Sequence, residues 1–128
     1  MQDEVGKVMV VDDSALMHRL YDTMLADFSE VVHARDGREA LALFAEHRDT
    51  RLVVLDVNMP EMDGVSFLQE FRRDPVGRNI PVIIVTTEGS EEDTLRGLQA
   101  GANAYVRKPF QRGALMQIIE RILTVGET

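Results

Sequence analysis

Two kinds of segment alternate along the chain. Short apolar, β-branched runs occupy Lys7–Val11, 52–55 and 81–85, and in each of them apolar residues follow one another without alternation. Such runs are typical of strands that are buried on both faces, as in a parallel sheet. Weaker runs at Glu30–Ala34 and 103–106 predict two further strands.

Between these strands, apolar residues recur at three- and four-residue spacing, which predicts amphipathic helices. The five stripes are Leu16, Leu20 and Met24 beside Met17, Tyr21 and Leu25; Ala40, Leu41, Phe44 and Ala45; Val65, Leu68 and Phe71; a weak one of Leu95, Leu98 and Gln99; and Leu115, Ile118, Ile119, Ile122 and Leu123. Asp36, Asp63 and Ser90 precede the second, third and fourth helices as N-caps, and Gly101 follows the fourth. Strict alternation of strands and helices predicts an α/β fold with one five-stranded parallel sheet and helices on both faces.

Composition and charge narrow the class of protein. The 128 residues predict a single domain spanning 1–128, and the absence of Cys excludes disulfides and cysteine metal sites. The net charge is −8 and the longest basic run is two arginines, so we expect no direct binding to nucleic acid or to a membrane. No apolar run approaches the roughly 18 residues of a membrane helix. The N-terminus lacks a signal-peptide pattern, so a cytoplasmic protein is expected.

Polar residues stand where the predicted strands end. Asp12 and Asp13 follow the first strand, Asp56 the third, Thr86 the fourth and Lys108 the fifth. Because the carboxyl ends of parallel strands share one edge of the sheet, and ligands bind there, these side chains are expected to meet.

Three carboxylates at one edge repel one another. At about 5 Å and an effective dielectric constant of about 20, each pair costs roughly 3 kcal/mol, so the site must take up a proton or bind a cation. Oxygen ligands favour Mg²⁺, which also binds substrate phosphate, and the site is interpreted as a phosphoryl site. Any one of these Asp residues alone would more often be a cap or turn residue. His18, His33 and His47 follow no ligand spacing and are interpreted as surface or packing residues.

Five segments match one family in order and spacing: 10–14, 55–64, 85–88, 101–105 and 108–110. The second reads Leu-Asp-Val-Asn-Met-Pro-Glu-Met-Asp-Gly, a highly specific pattern. On these residues the chain resembles the response-regulator receiver domain, the CheY-like module of bacterial two-component signalling, from about residue 7 to 124. The resemblance implies a flavodoxin-like (βα)₅ fold with strand order 2-1-3-4-5.

The resemblance also implies a phosphorylation chemistry. Asp56 would be the phosphoacceptor, taking a phosphoryl group from the phosphohistidine of a sensor histidine kinase or a histidine phosphotransfer protein. Asp13, Asp56 and the backbone carbonyl of Asn58 would bind Mg²⁺ directly, with Mn²⁺ as a substitute, and Asp12 would hold the ion through water.

The resemblance implies that three further residues form a conformational switch. Lys108 would pair with a phosphoryl oxygen, Thr86 would hydrogen-bond another, and Tyr105 would turn inward when Thr86 moves. The Lys108–Pro109 bond would be cis. The face formed by the fourth helix, fifth strand and fifth helix would then bind a downstream protein target.

The resemblance implies a signalling switch rather than an enzyme, one that assists its own phosphotransfer and dephosphorylation. Asn58 and Glu88 lie two residues beyond Asp56 and Thr86, where they are expected to flank an attacking water and give a short-lived acyl phosphate. A Mg²⁺-dependent phosphatase of the haloacid-dehalogenase kind also uses a strand-end Asp nucleophile. That family, however, needs a second Asp at the position of Asn58.

The sequence does not decide whether the receiver stands alone or belongs to a longer protein, or whether it forms a dimer. The chain ends soon after the fifth predicted helix, which favours a stand-alone receiver, with a fragment of a multidomain response regulator as the alternative. OmpR-like transcription factors usually carry an acidic pair at the positions of Asn103 and Ala104. Their style of dimer is therefore not expected, and a monomer or a weak phosphorylation-dependent dimer is.

Overall fold

The computed structural model describes residues 6–28, 30–58, 64–87 and 89–126, and of residues 124–126 only the backbone. The strands are β1 (Lys7–Val11), β2 (Glu30–Ala34), β3 (Thr50–Asp56), β4 (Val82–Thr87) and β5 (Ala104–Lys108). The α-helices are α1 (Ala15–Met24), α2 (Gly37–Glu46), α3 (Gly64–Arg73), α4 (Glu91–Gln99) and α5 (Arg112–Gly126), with a short 3₁₀ helix at Gly77–Asn79. None of the helices in the described part of the chain is both long and apolar enough to span a membrane.

Within these described ranges the strands form one sheet in the order β2-β1-β3-β4-β5, with every pairing parallel. The α/β fold class and the strand order are therefore confirmed. β1 and β2 have the predicted bounds, whereas β3, β4 and β5 run further toward the carboxyl edge. There Asp56 pairs with Val85, and Thr87 pairs with Lys108. Strand pairing therefore includes Asp56, Thr86 and Lys108, which lie on the sheet itself.

The core forms on both faces of the sheet because successive strand residues point to opposite sides. On one face the strand residues pack against α2, α3 and α4. On the other face they pack against α1 and α5. The first layer includes Met9, Val11, Val53, Leu55, Phe44, Phe67 and Phe71; the second includes Val8, Val10, Leu52, Val54, Tyr21, Leu25, Leu115 and Ile119.

Helix α1 shows which of its two apolar stripes faces the core. Tyr21 and Leu25 are buried, whereas Leu16 and Leu20 are 62% and 43% exposed. Leu16 and Leu20 are therefore surface residues, whereas Met24 of the same stripe packs against the core.

Helix α4 buries Thr94 and Gly97, and Leu98 packs against the core as predicted, but Leu95 is exposed, so its place in the predicted stripe was wrong. A Cβ atom at position 97 would lie 2.8 Å from the Cδ1 atom of Ile84. Glycine therefore lets this helix approach the sheet closely.

The helix starts confirm one predicted cap and correct another. The Asp36 side chain accepts a hydrogen bond from the Glu39 backbone N–H at 2.8 Å, as an N-cap does. Ser90 precedes α4, but its side chain makes no capping bond to that helix. Its hydroxyl lies 3.0 Å from the Thr87 hydroxyl instead. Asp63, predicted to cap α3, lies outside the described residues.

Candidate functional site

Three carboxylates meet at the carboxyl edge of the central strands. Asp12 and Asp13 follow β1, Asp56 ends β3, and one oxygen from each lies within 4.8 Å of the others. Asp12 and Asp56 are buried, whereas Asp13 is exposed. We call these three residues the acidic cluster. The order of the strands brings them together, since β1 and β3 are adjacent in the sheet.

Backbone N–H groups fix the orientation of the two buried carboxylates. The Asp12 Oδ1 atom accepts a hydrogen bond from the Ser14 N–H at 2.9 Å, and the Asp56 Oδ1 atom accepts one from the Asn58 N–H at 2.8 Å. Each Asp thus closes a local turn with the residue two positions on. The second oxygen of each carboxylate is left for other partners.

Helix α3 begins directly against this turn. A Cβ atom at Gly64 would lie 2.7 Å from both the Asp56 carbonyl oxygen and the Val57 Cα atom. Such contacts are too close for any side chain, so glycine at this position lets α3 pack on the backbone that carries Asp56.

Lys108 supplies the positive charge opposite the two buried carboxylates. Its Nζ atom lies 3.3 Å from the Asp12 Oδ2 atom and 3.6 Å from the Asp56 Oδ2 atom. The Asp12 Oδ2 atom is nevertheless buried without a hydrogen bond of good geometry. The ammonium therefore pairs with two of the three carboxylates, and a buried oxygen keeps an unused lone pair. Both features fit a bound cation, and the all-oxygen donor set fits Mg²⁺.

Burial raises the pKa of the Asp56 carboxyl, and the Asp12 and Asp13 charges raise it further. The Asn58 N–H hydrogen bond and the Lys108 charge oppose this rise in pKa without cancelling it. Without a cation, the folded protein therefore resists ionisation of Asp56. A bound cation would favour the ionised, nucleophilic form.

Thr86 is fully buried at the end of β4, and its hydroxyl meets α4. The hydroxyl oxygens of Thr86 and Thr94 are 3.0 Å apart in a hydrogen bond, and the Thr94 hydroxyl also donates to the Ser90 carbonyl at 2.9 Å. Tyr105 on β5 is 45% exposed. It lines a groove of about 460 Å³ between α4, β5 and α5.

The Asn58 side chain connects the loop after β3 to α4. Its amide donates to the Asp93 Oδ2 atom at 3.1 Å and to the Ser90 hydroxyl at 3.4 Å. The role of the Asn58 backbone carbonyl stays a prediction. Glu88 lies outside the described residues, as do residues 59–63 of the sequence motif. The Lys108–Pro109 peptide bond is cis, which confirms that prediction.

Two features of the surroundings were missed in the sequence. Thr94, the partner of Thr86, lies on a helix face that has no apolar signal. The histidines follow no ligand spacing in the sequence, but the His18 and His33 rings are in contact, and the His18 Nε2 atom lies 2.7 Å from the Asp12 backbone oxygen. A histidine therefore does lie beside the acidic cluster. Sequence spacing could not show this, because the two histidines belong to different elements.

Comparison with known proteins identifies the family to which the chain is similar. The response regulator receiver domain family matches residues 8–120. The chain is 36% identical over 123 residues to the chemotaxis protein CheY1 of Helicobacter pylori, covering 94% of this chain and 99% of that one. It is 43% identical over 125 residues to the probable transcriptional regulator ycf27 of Cyanophora paradoxa, covering 96% of this chain and 50% of that one. The solved structure of the chemotaxis protein CheY4 of Vibrio cholerae aligns with a TM-score of 0.83 at 36% identity, covering 91% and 97%.

Proposed function

The chain belongs to the response regulator receiver domain family, and we propose that it is a phosphoacceptor switch phosphorylated on Asp56. Receiver domains are signalling switches rather than conventional enzymes. The observation that carries the proposal is the acidic cluster, with Lys108 in contact with two of its three carboxylates.

The chemistry assigned to Asp56 is nucleophilic. A carboxylate oxygen attacks the phosphorus atom of a phosphohistidine, the phosphorus–nitrogen bond breaks, and the donor imidazole leaves with a proton taken from solvent. The product is an acyl phosphate on Asp56. The Asn58 N–H donates a hydrogen bond to the Asp56 Oδ1 atom and so fixes the orientation of the attacking carboxylate before the transfer. Little conformational entropy of this side chain is then lost during the transfer.

The acidic cluster is the proposed metal site. Asp13, Asp56 and the Asn58 carbonyl would bind Mg²⁺, or Mn²⁺ as a substitute, with Asp12 holding the ion through water. When bound, the ion supplies positive charge against the carboxylates and a phosphoryl oxygen. Lys108 is assigned to a second phosphoryl oxygen, because its ammonium already lies 3.6 Å from the Asp56 Oδ2 atom.

Thr86 is proposed to couple phosphorylation to the output face. Its hydroxyl is bonded to Thr94 on α4, so a move toward the phosphoryl group must break that bond. Tyr105 would then turn inward into the space released beside β5. The partners that we propose are a histidine kinase or phosphotransfer protein at the acidic cluster and a downstream protein at the α4-β5-α5 face. A phosphohistidine donor is made from ATP, so we place the protein in the cytoplasm.

We further propose that residues 1–128 form one receiver domain. The chain spans 99% of the Helicobacter relative and half of the Cyanophora relative, so a stand-alone receiver and the receiver of a longer regulator both fit the family. Asn103, at the position of the acidic pair in OmpR-like receivers, accepts hydrogen bonds from the Val82 N–H and Arg72. This intramolecular role supports a monomer or a weak phosphorylation-dependent dimer.

Intact-mass spectrometry after incubation with acetyl phosphate tests the proposal. The protein should gain one phosphoryl group with Mg²⁺ present and none with EDTA, and Asp56→Asn should gain none. Asp27→Asn is the matched control, because Asp27 is an exposed carboxylate in the turn after α1, where it pairs with Arg112. Labelling that persists in Asp56→Asn, or that ignores EDTA, would show that Asp56 is not the acceptor.

A further inference from the structure

Two histidine rings meet beside the acidic cluster, between α1 and β2. His18 lies in the first turns of α1 and His33 in β2. Their Nδ1 atoms are 2.6 Å apart, and the ring centroids are 4.7 Å apart with an interplanar angle of 74°. The two Nδ1 atoms therefore point at each other.

The partners of the other ring nitrogens set the tautomers. The His18 Nε2 atom lies 2.7 Å from the Asp12 backbone oxygen, which only accepts hydrogen bonds. The His33 Nε2 atom lies 2.8 Å from the Asp22 Oδ1 atom, and an ionised carboxylate also only accepts. Both Nε2 atoms therefore carry hydrogen. In two neutral rings, both Nδ1 atoms are then bare lone pairs that face each other and repel.

We propose that His18 and His33 bind one divalent transition-metal ion through their Nδ1 atoms, independently of the phosphoacceptor role of Asp56. A cation between the two lone pairs removes their repulsion. Metal-binding histidines usually donate the second ring N–H to a carboxylate or a backbone carbonyl, and these two rings do so to Asp22 and to Asp12. Imidazole nitrogen suits Zn²⁺, Ni²⁺ or Cu²⁺, whereas Mg²⁺ prefers the oxygens of the acidic cluster.

The geometry needs only a small adjustment to accept Zn²⁺. Two nitrogen atoms at about 2.0–2.1 Å from a tetrahedral Zn²⁺ are about 3.3 Å apart, so the rings must separate by less than about 1 Å. The contact between the two rings is part-buried, and the site borders solvent, since the His33 side chain is 31% exposed and that of Asp22 is 60% exposed. Water from that border would fill the remaining coordination positions.

Isothermal titration with Zn²⁺ in excess Mg²⁺ tests the assignment, because Mg²⁺ competes with Zn²⁺ for the oxygen ligands of the acidic cluster. The wild type should bind one Zn²⁺ ion, and His18→Gln and His33→Gln should each weaken binding by about tenfold or more. Asp22→Ala should weaken it by about tenfold through the loss of the outer hydrogen bond. His47→Gln is the matched control, because His47 contacts Lys7 rather than this pair, and it should bind as the wild type does.

A nitrogen-15 NMR spectrum of the imidazoles provides a readout that needs no variant. Zn²⁺ should shift the Nδ1 resonances of His18 and His33 and leave both Nε2 atoms protonated. Equal binding by the wild type, His18→Gln and His33→Gln would overturn the proposal. An absence of Zn²⁺-dependent Nδ1 shifts would overturn it as well.

Discussion

The hydrogen bond between Thr86 and Thr94 should stabilise the resting form of the proposed switch. Both residues are buried, and their hydroxyl oxygens are 3.0 Å apart. The Thr94 hydroxyl has one proton and also faces the Ser90 carbonyl at 2.9 Å. When it donates to Ser90, it accepts from Thr86, so the two bonds form a chain from β4 into α4.

Thr94→Val removes this bond with little change in side-chain volume. A typical hydrogen bond contributes about 1 kcal/mol net, within roughly 0.5–1.5 kcal/mol. If Thr86 leaves Thr94 on activation, the loss falls on the resting form alone. A change of about 1 kcal/mol shifts the resting-to-active equilibrium about fivefold, since about 1.4 kcal/mol corresponds to tenfold. While the resting form predominates, the affinity for a ligand of the active form rises by the same factor.

Beryllofluoride, a phosphoryl mimic, is that ligand, and its binding can be followed by amide NMR in the presence of Mg²⁺. The chain contains no Trp, so tryptophan fluorescence cannot report the transition. We expect Thr94→Val to bind beryllofluoride about fivefold more tightly than the wild type. Thr94→Ser, which keeps the hydroxyl, should match the wild type.

An unchanged or weaker affinity in Thr94→Val, with Thr94→Ser normal, would refute the reasoning. Thr86 would then keep its bond to Thr94 in both forms, and the coupling to α4 would need another route.

Three further predictions follow from the site. Asp56→Asn should raise the free energy of unfolding at neutral pH without Mg²⁺, as chemical denaturation would measure. The pKa of Asp56 is raised in the folded protein, so its ionised carboxylate destabilises the fold at a pH above that pKa. The wild type regains this stability as the pH falls through that pKa and Asp56 takes up a proton. A stability gain in Asp56→Asn that persists at pH 3 would contradict the account. Thr86→Ala should still be phosphorylated but show smaller beryllofluoride-induced amide shifts across residues 90–120 than the wild type; equal shifts would mean that Thr86 is not the coupling element. Gly64→Ala should destabilise the fold by about 1–3 kcal/mol and slow phosphorylation, because its Cβ atom would meet the Asp56 carbonyl at 2.7 Å. A midpoint of thermal unfolding equal to that of the wild type would contradict this prediction.

Within the acidic cluster, opposing electrostatic effects act on the ionisation of the Asp56 carboxyl. To act as the proposed nucleophile, Asp56 must be ionised, yet burial and two carboxylates favour its protonated form. Lys108 is the charge that opposes them, from a strand that is two positions away in the sheet. Phosphorylation at this position is therefore expected to depend on a cation, which is the reason for the EDTA arm of the mass measurement.

Periodicity along the chain was enough to predict the class of fold. Continuous β-branched runs alternating with helical stripes predicted a parallel sheet, and β1 and β2 have the predicted bounds. Polar residues at strand ends then predicted the acidic cluster, because parallel strands bring their carboxyl ends to one edge. The strand order came from the family resemblance, since local pattern does not specify which strands are neighbours.

Tertiary structure decided which of the local possibilities is realised. Helix α1 carries two apolar stripes, and only packing against the sheet selects Tyr21 over Leu16 as the buried side. The face of α4 that carries Thr94 has no apolar pattern, so its contact with Thr86 follows from the close approach that Gly97 permits. The His18–His33 contact joins a helix to a strand 15 residues later in the chain. Such contacts depend on the relative placement of whole elements, which the hydrophobic period of any single element does not encode.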